Sequence, residues 1–130
     1  MQHHRLKITT VTCLLAWLLS AIYLQAGSMG LKSARILSGW QNQDGTHIAA
    51  LELILEKGWK TYWRSPGETG LPPHISFARS KNLKTVRIIW PSPVVFGPKE
   101  IWSVGYKDKL VLPLRITPKD QAAPVALTLD

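Results

Sequence analysis

A chain of 130 residues has room for one domain, and its single cysteine cannot close an internal disulfide or build a sulfur-ligated metal centre within the chain. Sixteen Lys and Arg against eight Asp and Glu give a net charge of +8. The excess is spread thinly and no nucleic-acid motif or stacking pattern accompanies it, so a solvated basic face is favoured over nucleic-acid binding.

The amino end carries Arg5 and Lys7 with no acid, then an apolar run from Ile8 to Leu24, then Ala26, Gly27 and Ser28. A basic start, an apolar centre and a small-residue exit describe a secretory signal peptide, with removal after Ala26 or Ser28. The alternative is an uncleaved anchor, since 17 residues lie at the low edge of what spans a bilayer. Cys13 sits inside the run, and Thr12 and Thr10 do not fit a lipid-attachment site. The expected organisation is therefore a signal over 1–28 and one exported domain over 29–130, which has no thiol and a net charge of +6.

Beyond the signal, the periodic segments repeat every two residues. In Thr46 to Glu56, His47, Ala49, Leu51, Leu53 and Leu55 fall on one face, and Ala50, Glu52 and Glu56 on the other, which predicts a half-buried strand. The Asp-Gly turn signal in Asn42 to Gly45 makes Ala34 to Trp40 its hairpin partner. Thr61, Tyr62 and Trp63 suit a third strand, which Pro66, Gly67, Gly70, Pro72 and Pro73 convert into a long stiff loop. Lys84 to Trp90 turns Val86, Ile88 and Trp90 inward, and Pro91 and Pro93 stop it. A second hairpin is expected from Ile101 to Tyr106 and Lys109 to Ile116 across Lys107-Asp108, with Pro113 assigning its second strand to an edge or a bulge. Val125, Leu127 and Leu129 alternate once more, and the chain ends in mid-strand at Asp130. About seven short strands without a helix predict an all-β, immunoglobulin-like antiparallel sandwich.

Catalytic signatures are missing: there is no G-x-S-x-G, P-loop, H-E-x-x-H or dinucleotide fingerprint. His47 and His74 stand alone, so no metal site is expected. Glu52 and Glu56 read as a solvated polar face and Ser65 as a turn residue. No catalytic residue and no cofactor is assigned. The aromatic stretch Trp59, Tyr62, Trp63, with Arg64 beside it, is the candidate partner-contact loop, because a rigid loop rich in aromatics suits recognition.

Gly58-Trp59-Lys60-Thr61-Tyr62-Trp63-Arg64-Ser65-Pro66-Gly67-Glu68, then Phe96-Gly97 before Glu100-Ile101, then Tyr106-Lys107-Asp108 leading into Leu110-Val111-Leu112-Pro113-Leu114 stand in an order that resembles the amino-terminal periplasmic domain of the DsbD family of thiol:disulfide interchange proteins. The likeness runs from about Ala34 to the end. It implies an immunoglobulin-like domain that takes reducing equivalents from a membrane-embedded reductase domain. It passes them to periplasmic thioredoxin-like or disulfide-carrying proteins through a cysteine pair. In the family that pair follows the strand that here ends at Leu129-Asp130, so the resemblance implies a domain truncated before its redox cysteines and assigns no catalytic residue to this chain. It also implies that Phe96 and Gly97 form the cap loop that shields the pair, although Pro91 to Val95 stand where some members carry acids. A rim residue of the core is the other reading of Phe96. Three functions follow as expectations: a DsbD-type domain lacking its own thiols, a secreted immunoglobulin-like binding module with no redox role, or, with Ile8 to Leu24 uncleaved, a structural extension of the membrane.

Overall fold

The computed structural model describes residues 30–130, among which are seven strands and no helix. The signal reading and Cys13 lie outside the described residues. Strands β1 (Leu31–Gln41), β2 (His47–Leu55), β7 (Lys109–Pro118) and β4 (Leu83–Ile88) form an antiparallel sheet in the order β1-β2-β7-β4. Strands β3 (Lys60–Gly67), β6 (Ser103–Lys107) and β5 (Val94–Phe96) form a second, in the order β3-β6-β5. The all-β sandwich of immunoglobulin type follows from two such antiparallel layers closing on one core.

The expected first hairpin is present, and its turn is closed by side chains. Asp44 Oδ1 accepts from the Thr46 amide at 2.9 Å and from its hydroxyl at 2.6 Å, while the Gly45 amide donates to the Asn42 carbonyl at 3.0 Å. The alternation read in β2 and β7 is the core itself. Leu51 lies opposite Leu112 and Leu53 opposite Leu110, and Leu112 and Leu114 are fully buried. Tyr106 of the other layer and Phe77, from the segment between β3 and β4, join these residues in the core, and Val125, Leu127 and Leu129 pack against them. Each such leucine contributes about 1.5 to 3 kcal/mol by leaving water.

Four local expectations are corrected. The strands about Lys107-Asp108 are not a hairpin, because β6 and β7 belong to different sheets. Asp108 alone separates them, with a positive φ of 63° that swings the chain from one layer to the other. A corner serves better than a hairpin here because Tyr106 and Leu110, on either side of it, both point into the core. Pro113 does not mark an edge, since β7 lies between β2 and β4. Its carbonyl accepts the Ile89 amide at 2.8 Å, just past the end of β4, so the missing N–H falls where the ladder stops. Pro66 and Gly67 do not end β3: pairing lapses after Tyr62 and resumes where Gly67 faces Ser103, which leaves Pro66 in the unpaired excursion. Finally, 125–130 is not a ladder strand. It is held against 76–82 by one bridge between Lys81 and Ala126, by the Thr128 amide on Ser80 Oγ at 2.9 Å, and by the Asp130 amide on the Ser76 carbonyl at 2.9 Å.

Candidate functional site

The inward side of the small sheet is set by Tyr106, which is core, and by its register partner Thr61. The strand period of two then turns Lys60 and Tyr62 of β3, Gly105 and Lys107 of β6, and Val94 and Phe96 of β5 outward. Lys60 Nζ lies 5.7 Å from the centre of the Tyr62 ring and 5.0 Å from that of Phe96, and donates to Ser103 Oγ at 3.3 Å. Gly105 stands in the register between Lys107, which faces Lys60, and Ser103, and a Cβ there would run into the Thr61 carbonyl, so the β3 backbone passes close against it. The result is an ammonium framed by two aromatic faces and by the buried Ser103 hydroxyl beneath it, a geometry in which cation–π attraction adds to an ordinary hydrogen bond.

The fold thus brings together Tyr62 and Phe96, candidates from separate parts of the sequence. The other candidates lie elsewhere. Trp59 is half exposed and covers Gly30 at the start of β1. Trp63 turns inward onto the core, its Nε1 buried without a partner, and the Arg64 guanidinium lies 5.1 Å from its ring centre. Gly97 follows Phe96 with φ +88°, and a Cβ there would run into the Ile101 carbonyl, so only glycine fits this turn. Gly70, in the loop after β3, lies flat against the Tyr62 ring, and the adjacent Leu71 projects into solvent. Val94 and Ile101 are exposed near Phe96, and Val95, in the opposite phase of β5, is exposed as well. Lys60 escaped the candidate set, although its even spacing from Tyr62 already placed the two side chains on one face.

Beneath this face Tyr106 donates to the Pro91 carbonyl at 2.8 Å and stacks on Trp90 at 6.5 Å between ring centres. Burial pushes its phenol above the ordinary value, against the opposing pull of Arg64. Tyr106 is thereby a fixed neutral support. Two hollows flank the core. One, of about 480 Å³, is lined by Leu51, Leu53 and Leu55 together with Lys60, His74 and Asp130. The other, of about 350 Å³, is lined by Trp40, His47, Val125 and Leu127, and His47 Nε2 is buried without a partner. Among the described residues no group of three or more His, Cys, Asp or Glu is placed to hold a metal ion. Glu52 is not solvated as expected from its polar face: Arg35 at 2.5 Å and Lys109 at 2.7 Å clamp it with only 4% of its surface exposed.

The family model described as "Thiol:disulfide interchange protein DsbD, N-terminal" matches residues 33–130. No curated protein matches the chain. Among solved structures, the N-terminal periplasmic domain of ScsB from Proteus mirabilis is similar at 27% identity and a TM-score of 0.49, over 75% of this chain and 42% of that one. The chain therefore spans less than half the length of that structure.

Proposed function

Because the chain belongs to the family of the amino-terminal domain of the thiol:disulfide interchange protein DsbD, we propose that it is the exported docking domain of a thiol:disulfide interchange system. In this reading its first 26 to 28 residues are removed on export. The outward aromatic face then receives a periplasmic thioredoxin-like or disulfide-carrying protein, and a membrane-embedded reductase domain supplies the electrons. Residues 30–130 contain no cysteine, and exchange requires a thiolate, so these residues position a partner and do not carry the exchange themselves. The observation that supports this reading is the meeting of Tyr62 and Phe96, 34 residues apart in sequence, around Lys60 on one exposed face.

Photo-crosslinking in the exported protein tests it. A photoreactive phenylalanine at Phe96 should trap proteins of thioredoxin fold, and the same group at Thr85, exposed on the large sheet, should not. Amino-terminal sequencing of that purified protein should begin between residues 27 and 29. Trapping only proteins without a thioredoxin fold at Phe96 would replace the redox reading with that of a binding module. An intact Met1 would refute cleavage.

A further inference from the structure

The register of β3 against β6 sets Lys60 directly opposite Lys107 on the outward face. Like charges in that position repel, and strand pairs ordinarily avoid them. Neither lysine is relieved within the fold: among the described residues the ion pairs involve Arg35, Arg79, Lys109 and Arg115, and no carboxylate pairs with Lys60 or Lys107. Lys60 bends away to Ser103 and the two rings, which hold its ammonium in place without neutralising it. One of its three N–H donors is used on Ser103, so the others are open to an acceptor. Exposed Val94 stands on the same face, with 47% of its surface free, and Ile101 lies near the Phe96 turn with 60% free.

A surface that pairs two unneutralised ammonium groups with aromatic and aliphatic residues complements one chemistry better than others. It fits a protein surface whose apolar centre is rimmed by carboxylates. We propose that the outward face of the three-stranded sheet selects acidic protein partners, and that Lys60 and Lys107 are its specificity-determining residues, each meeting a partner carboxylate. The inference rests on the docking reading above and names the partner's charge. A partner carboxylate between the lysines would turn their mutual repulsion into attraction, and the aromatic frame around Lys60 would fix where the first carboxylate lands. Such charges act mainly on encounter and on rejection of wrong partners.

The probe is a short peptide of glutamates interleaved with leucine and phenylalanine, compared with the same peptide carrying glutamine at each glutamate. Binding is mapped by amide chemical shifts of the full chain. The acidic peptide should shift Lys60, Tyr62, Phe96 and Gly105, and should bind about tenfold more tightly than its neutral counterpart, the scale expected for two rim charge pairs. Raising salt from about 50 to about 300 mM should erode that preference. Lys60→Gln combined with Lys107→Gln should abolish it, whereas Lys60→Arg should keep it. Equal binding of both peptides at this face would overturn the charge selection and leave the docking reading standing. Shifts confined to the large sheet around Arg87 and Arg115 would overturn both.

Discussion

Glu52 shows how far an outward residue can be buried once neighbours close over it. The alternation of β2 turns it away from the core, which was legible in the sequence, but β2 is flanked by β1 and β7, and the long side chains of Arg35 and Lys109 lie across it. Burial through the stems of flanking cations is a tertiary effect that strand phase does not reveal. Hydrogen bonds from Lys109 and then Arg35 hold its carboxyl below the ordinary value of 4.5, and their charges act in the same direction. A depressed folded value means that the stabilisation is fully present above 4.5 and is lost as pH falls through the lowered value. Glu52→Gln should therefore melt below the parent at neutral pH, and the gap between the two melting curves should close in strong acid. A gap that persists unchanged there would show that the ion pairs contribute nothing.

At the scale of elements, the alternation of leucines made β2 and β7 readable, and the Asp44-Gly45 signal made the first hairpin readable. Sheet membership was not. The same Lys107-Asp108 sequence serves a hairpin or a corner, and which one forms depends on where Tyr106 and Leu110 must both point. Pro113 misled for a similar reason, because its harm depends on whether a neighbouring strand still needs its N–H. Gly97, at the end of β5, permits a test of what the local geometry demands. Gly58 has a similar φ of +82° but open space where a Cβ would stand, whereas at Gly97 a Cβ meets the Ile101 carbonyl. Gly58→Ala should cost only the left-handed conformation, about 1 to 2 kcal/mol. Gly97→Ala should cost more, up to about 3 kcal/mol, with the excess spent on displacing the backbone that follows Phe96. Denaturant midpoints of the two variants decide it: equal losses would mean that the turn after β5 yields freely.

For the molecule as a whole, the sequence supported the layer architecture and the family, while the candidate site was only half legible. Tyr62 stood out in the aromatic run of a strand and Phe96 through the family resemblance, yet nothing in their spacing brings them together, because β3 and β5 meet only through β6. Lys60 was passed over because a lysine's importance lies in what surrounds it. The absence of cysteine from residues 30–130 makes a further prediction at this scale. The full chain carrying Cys13→Ser should not accelerate reduction of the insulin disulfides by dithiothreitol above a no-protein control. Acceleration would require a source of exchange chemistry other than a thiolate of this chain.

The corner at Asp108 leaves almost no slack between the two layers. The strand that carries Lys107 and Gly105 outward becomes, one residue later, the middle of the leucine core, and the Asp108 carbonyl is tied to the Leu55 amide at 2.8 Å. The outward face of the small sheet is therefore joined without slack to the strand that holds Leu110, Leu112 and Leu114 in the core. On the proposed docking role, little ordering entropy would remain to be lost on contact, and recognition would proceed by the fit of preset shapes rather than by moulding one surface to the other.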